Sequence, residues 1–384
     1  MRYDTIVVGL GAMGAATAAA LGRRGRRVLG VEQFPLPHAR GSSQGGTRII
    51  REAYFEHPLY VPLVQRAYAA WQALEAETGA RLLVPTGGLT IGPPEGRLVT
   101  GALDSARRHG LAHEVLPAAE VMRRHPAVRI PAGAVAVAEP RAGVLFAARA
   151  IAACLDVARR HGAELRTGVS VEGWDAGTDG VRVRIDGETI AAARLVLAAG
   201  PWLPALVPEL APHLSIERNA VHWFKARDVA TPGPDRLPVL VIEEAPDHLL
   251  YALPSMRAFG PDLEDGVKFA RHHSGVTGTA DSLDRMPSAE DVAAIQPDVR
   301  HYLPEIDPVP AQSAVCCYTN TTDGHFILDR HPAHDRVVVV SACSGHGFKF
   351  ASVLGDIAAD MVEDVNVHGD LAPFAMGRYS PARR

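Results

Sequence analysis

Between residues 5 and 32 the chain places three glycines where an apolar strand turns into a helix, and that arrangement leaves few folds open. Thr5 to Gly9 is a short β-branched run that reads as a buried strand. Gly9-Leu-Gly11-Ala-Met-Gly14 follows, then the strong helix-forming run Ala15 to Leu21. Arg27 to Glu32 is the next strand. In such a β-α-β unit the first glycine permits the turn and the second lets the backbone approach a pyrophosphate. The third lets the helix pack on the strand. The helix N-terminus offers free N–H groups and partial positive charge to phosphates. Glu32 lies 18 residues after Gly14, where its carboxylate can accept from ribose hydroxyls and would repel a 2′-phosphate. The unit therefore implies a dinucleotide other than NADP. A similar strand returning near Gly200 favours FAD over NAD.

The rest of the chain adds helices and strands in an order that fits two interwoven domains. Helical patterns cover Tyr60 to Thr78 and Ala148 to His161. Leu82 to Gly92, Ala134 to Ala138, Glu164 to Glu172, Val181 to Ile185 and Arg194 to Ala198 read as strands. Val221 to Ala270 alternates and is broken by prolines, as in an antiparallel sheet, and Ser288 to Leu303 reads as mixed helix and loop. Arg336 to Ser341 is a buried strand that Ser344-Gly-His-Gly347 turns into a helix from Phe348 to about Glu363. The expectation is an α/β Rossmann-type FAD-binding domain (1–82, 140–215 and 325–384). It is interleaved with an α+β substrate domain (83–139 and 216–324) carrying a mostly antiparallel sheet.

Charge and cysteine usage narrow the class. A net charge of -4 gives no reason to expect nucleic acid or a membrane surface. No apolar run approaches the roughly 20 residues of a membrane span. The four cysteines (Cys154, Cys316, Cys317 and Cys343) lack zinc spacing and are too few for a disulfide framework, so a reduced, cytoplasmic setting is expected. His272 and His273 have no partner at ligand spacing, so no metal site is expected.

Three further segments bring a family resemblance. Gly46-Thr-Arg-Ile-Ile-Arg51, the stretch Cys316-Cys-Tyr-Thr through Asp329, and Ser344-Gly-His-Gly-Phe-Lys-Phe350 stand in order after the glycine motif. Together they resemble the monomeric sarcosine oxidase family, which includes N-methyltryptophan and L-pipecolate oxidases and belongs to the D-amino acid oxidase-like flavoproteins. The resemblance runs from residue 4 to about 363. It implies an FAD-dependent oxidase of a secondary amine, with oxygen as acceptor, hydrogen peroxide as product and a monomeric state.

The resemblance also implies roles for single residues. Cys316 would carry the flavin through a thioether, with the adjacent Cys317 as rival. Arg51 and Lys349 would bind the substrate carboxylate, Lys268 would activate oxygen, and Tyr251, His272 and His346 would line the site. Ser42, Ser43, Thr47, Arg48, Val171, Gly200, Gly345, Gly347 and Phe348, with Lys349 again, would contact the cofactor. Read from the residues alone, Arg48 and Arg51 share a face on a helical turn and point apart on a strand. Departures from the family pattern are Cys343, where phenylalanine is frequent, and Gly324 in Asp323-Gly-His-Phe326. The stretch from Ser255 to Lys268 is longer and rich in acids. All three fall near the substrate pocket. Two other readings use the same fold: a flavin dehydrogenase with another acceptor, and a non-catalytic FAD-binding protein.

Overall fold

The computed structural model describes residues 3–246, 248–273, 275–365 and 371–379. Its first sheet has eight strands among the described residues. The strands Glu164–Thr167, Val28–Glu32, Tyr3–Val8, Glu188–Leu197 and His334–Ser341 run parallel in that order. They are apolar because helices cover them: Ile6, Val7, Leu29, Val196 and Val338 are fully buried. Helix Ala12–Arg23 packs on one side between helices Ala147–Arg160 and Ala351–Val362. A meander, Val171–Gly177 and Gly180–Ile185, continues the sheet antiparallel from Glu188–Leu197.

The second sheet has nine strands among the described residues. Leu214–Phe224 sits between Gln312–Thr321 and Val267–His272, and the latter is followed by His248–Leu253 and Val239–Ala245. Every one of these pairings is antiparallel. The sheet continues through Gly88–Gly92, which runs parallel to Val239–Ala245. A third, small antiparallel sheet joins Thr47–Ile50, Gly143–Phe146 and Leu83–Pro85.

Several elements differ from the sequence reading. Leu82 to Gly92 is two strands in different sheets, split at Thr86 and Gly87, where Gly87 adopts φ +69°. Glu164 to Glu172 is likewise two strands in the first sheet. Cys316 lies in the middle of a ten-residue strand, Gln312–Thr321. Ser288 to Leu303 is one helix, Ala289–Tyr302, started by a Ser288–Asp291 capping box. Helices Arg97–His109 and Ala118–Arg124 were not anticipated. The arginines after the first helix do more than end it: Arg24 pairs with Asp360 and Glu363, tying that helix to Ala351–Val362.

Candidate active site

The first helix begins at a groove between the parallel strands. Gly9 turns the chain at φ +88°, and a Cβ there would lie 2.4 Å from the Ala198 carbonyl oxygen. A Cβ on Gly14 would lie 1.7 Å from the Gly9 carbonyl oxygen, so this position serves helix-on-strand contact and does not line the groove. Gly11, Glu32, Ser42, Ser43, Val171 and Gly200 do line it. Glu32 ends its strand with one carboxylate oxygen accepting from Leu10 N–H at 2.9 Å and the other from Phe34 N–H at 3.2 Å. Burial raises its pKa, but the His38 contact and these backbone bonds outweigh that and hold it below the ordinary value.

The groove runs on into a second cavity, and Ser42, Gln44, Cys343 and Phe348 line both. One wall of this chamber is a face of the nine-stranded sheet. Side chains two apart share a face, which brings together Val221 with Trp223, Lys268 with His272, and Ala314, Cys316 and Tyr318. Cys317 takes the opposite face and packs with Ile216 and Leu283. The other walls come from Thr47 to Glu56 and from Gly345 to Lys349. Arg48 and Arg51 line the same chamber because only Arg48 is on the Thr47–Ile50 strand, and Arg51 follows where the chain leaves it. The expected helix start at Phe348 is a 3₁₀ turn, Phe348–Phe350, which leads into Ala351–Val362.

All six residues expected to do chemistry or bind substrate (Arg51, Tyr251, Lys268, His272, His346 and Lys349) line this chamber, as do Thr47, Arg48, Cys316, Gly345, Gly347 and Phe348. The chamber is strongly cationic. Four basic side chains, Arg48, Arg51, Lys268 and Lys349, line it with one carboxylate, Glu56. The chain has three lysines, and two of them are buried here. Lys268 Nζ donates to Thr47 O at 3.2 Å and lies 5.4 Å from the Trp223 ring centroid. Lys349 Nζ donates to His346 O at 2.8 Å and to the Tyr54 hydroxyl at 3.2 Å. Burial pushes both lysines down to about 7, and the nearby arginines add to the shift.

Glu56 is the site residue that sequence reasoning missed. Arg51 Nη2 donates to both of its carboxylate oxygens, at 2.7 and 2.9 Å. Burial opposes the charge, but Arg51, His346 and Lys349 prevail and bring Glu56 down to about 2. Tyr54 and Tyr318 were missed as well. The Tyr54 hydroxyl is 2.8 Å from His346 Nδ1, and His346 Nε2 is 3.1 Å from Gly324 O. A carbonyl only accepts, so Nε2 carries the proton and Tyr54 donates to Nδ1. Tyr318 reaches His272 Nδ1 at 3.3 Å. Burial lowers His346 to about 4 and His272 to about 3, so both rings are neutral at pH 7. An aromatic residue and an acid shortly after Arg51 were the available signal for Tyr54 and Glu56. Nothing in the spacing showed that they turn back onto Lys349.

Residues 4–361 match the family described as FAD dependent oxidoreductase. The chain belongs to this family. It is 41% identical to a monomeric sarcosine oxidase of Streptomyces avermitilis, over 94% of this chain and 93% of that one. It is 33% identical to the N-methyl-L-tryptophan oxidase of Yersinia pestis, over 99% and 100%. Among solved structures it superposes on NikD, an amino acid oxidase of nikkomycin biosynthesis, with a TM-score of 0.83 and 25% identity over 97% of both chains.

The groove suits the cofactor of an FAD dependent oxidoreductase. Its mouth is free of Cβ atoms at Gly9 and Gly11, and a helix N-terminus faces it. Ser341 Oγ on its wall is buried without a hydrogen-bond partner, as a site awaiting a polar ligand would leave it. The continuity of groove and chamber matches a ligand with a nucleotide at one end and a reactive ring at the other. No helix among the described residues is long and apolar enough to cross a membrane.

Proposed function

We propose that the chain is an FAD-dependent oxidase of a secondary amino acid, an N-methyl or cyclic one, held by its carboxylate between Arg51 and Lys349. One observation carries this reading. A buried guanidinium grips the carboxylate of Glu56, and the buried amine of Lys349 lies close enough to influence that carboxylate electrostatically, inside a chamber open to the cofactor groove. An arginine fork binds a carboxylate through two parallel bonds, and a substrate carboxylate can take the place of Glu56. The relatives named above act, by their names, on sarcosine and N-methyl-L-tryptophan, both N-methyl amino acids.

FAD, when bound, supplies the two-electron acceptor for the carbon next to nitrogen and returns both electrons, with two protons, to oxygen as hydrogen peroxide. The chain's residues set the conditions. His272 and His346 are neutral at pH 7, so they add no cation beside the amine, which must react as its free base. Tyr251 and Tyr318 hydroxyls close the wall near them, and burial raises Tyr251 to about 12, so it remains a hydrogen-bond donor. Lys268 supplies positive charge where oxygen gains electrons, a preorganised electrostatic effect. The imine that leaves is hydrolysed by water, giving formaldehyde if an N-methyl group was oxidised.

Cys316 is our choice for a covalent thioether to the flavin. Cys316 would hold the group through its sulfur, and the two-electron oxidation that such a bond needs would be supplied by the flavin with oxygen. The support is that Cys316 lines the chamber, with Arg48 Nη2 3.9 Å from its sulfur, while Cys317 packs into the opposite face. Acid precipitation tests this: the pellet stays yellow in wild type and in Cys317→Ser, and turns colourless in Cys316→Ser. The oxidase reading has its own test. Anaerobic N-methyl or cyclic amino acids should bleach the flavin, and the same amines without a carboxylate should not. Equal bleaching by both would remove the clamp.

A further inference from the structure

Glu264 lies in the acid-rich stretch before the strand Val267–His272. One of its carboxylate oxygens, Oε1, accepts from Gly46 N–H at 2.9 Å. The other, Oε2, is buried and has no hydrogen-bond partner. A buried carboxylate oxygen left unpaired is costly unless a charge nearby compensates it. The next cation along is Lys268, which donates to Thr47 O, one residue beyond Gly46. Gly45 and Gly46 make this approach feasible. A Cβ on Gly45 would lie 3.8 Å from Lys268 Nζ, and a Cβ on Gly46 would lie 2.4 Å from Glu264 Oε2. The groups facing Lys268 are Arg48 from the small sheet, Trp223 from the neighbouring strand, Cys316 from the strand beyond it, and Glu264. Arg48 opposes the ammonium charge, and Glu264 is the one carboxylate among them.

We propose that Glu264 is a positioning residue for Lys268: it fixes the Gly45–Thr47 backbone to which the lysine is bonded, and its negative charge keeps the ammonium protonated beside the flavin. This rests on the reading of Lys268 as the oxygen-side cation. Oxygen reduction by this site then depends on a pair, with the lysine aimed by one oxygen of Glu264 and kept charged by the other. The carboxylate touches neither substrate nor the reacting atoms.

The three lysines make a direct test practical. In holoenzyme labelled with ¹³C,¹⁵N-lysine, three side-chain signals are expected, and loss of one in Lys268→Met assigns Lys268. In Glu264→Gln its titration should move to lower pH by about one unit or more, as loss of a nearby opposite charge requires. Glu264→Asp should restore most of the shift. Flavin reoxidation, followed by rapid mixing, should lose rate at high pH with the same midpoint, while anaerobic reduction is unaffected. Gly46→Ala, which displaces the Glu264 carboxylate without removing it, should shift Lys268 in the same direction and serves if Glu264→Gln does not fold. An unmoved Lys268 titration in both variants overturns the proposal and leaves the role of Lys268 standing. Normal reoxidation in Lys268→Met overturns that role and the proposal with it.

Discussion

In the proposed reaction Arg51 and Lys268 divide the work of the chamber at the scale of single side chains. Arg51 is held by Ala53 O and Glu56 and stacked near Tyr54 and Phe55, so its fork is already oriented. Arg51→Ala should raise KM for a carboxylate substrate by about 10- to 100-fold, the usual worth of a charge-assisted bond, with a smaller change in saturated turnover. Steady-state kinetics on substrates with and without the carboxylate check this, and an unchanged KM removes Arg51 from the clamp. Lys268→Met should slow flavin reoxidation by about 100-fold, comparable with loss of one preorganised donor, and leave reduction nearly intact. Equal slowing of both half-reactions in stopped flow would count against an oxygen-side role. The cysteine pair shows what one residue of register decides. Cys316 and Cys317 are adjacent in sequence, and strand alternation alone sends one to the chamber and the other against Ile216 and Leu283.

Among the elements, the first helix is the most constrained. Gly14 leaves no room for a methyl group because the helix lies directly on the Gly9 turn. Gly14→Ala should cost about 1–3 kcal/mol through forced overpacking and should reduce bound flavin, since the turn that must move is the one at the phosphate site. Thermal unfolding and flavin content per chain report the two effects. A variant with full flavin and an unshifted midpoint would mean that the helix is looser than this contact implies. The segment from Arg51 to Glu56 is held in a different way. Glu139, at the end of the strand Val135–Glu139, accepts the Glu52 and Ala53 N–H groups, at 2.5 and 2.9 Å, and Ser105 on the unanticipated helix Arg97–His109 bonds to Tyr54 O. The clamp is thus anchored by two elements far from it in sequence.

For the molecule as a whole, the chamber is a stored electrostatic load. Lys268 and Lys349 sit near 7 in the folded chain against an ordinary 10.5. A lysine lowered on folding disfavours the fold while it is charged. Stability therefore rises with pH between about 7 and about 10.5 and is reduced at and below the lower value. Lys349→Met should be most favourable relative to wild type at pH 6, and its advantage should shrink steadily toward pH 10. Thermal midpoints of both proteins across that range measure it, and a pH-independent difference would contradict the burial argument. Glu56 works in the opposite sense. Its carboxyl is lowered to about 2, so it stabilises above the ordinary carboxyl range and loses that contribution as pH falls toward 2. All three pKa values are lowered, but the lysine shifts disfavour the fold and the Glu56 shift favours it; these groups meet in one cavity, which is where function is expected to override stability.

The sequence by itself determined the dinucleotide unit. Gly9, Gly11, Gly14 and Glu32 act locally, through backbone freedom and a helix end, and need no distant partner to be read. The ordered motifs at Arg51, Cys316 and Lys349 were legible as a family pattern, and the alternating sheet as a period of two. Tertiary structure alone decided the rest. Which cysteine lines the chamber depends on the strand containing Cys316 being long, and its apolar alternation is not distinctive enough to show that. The pairing of Arg51 with Glu56, the Lys349–Tyr54–His346 chain and the placing of Glu264 beside Gly46 join segments as much as 295 residues apart. Local propensity carries no information about such pairs, because burial and charge compensation arise only when the two sheets and the loops between them close on one another.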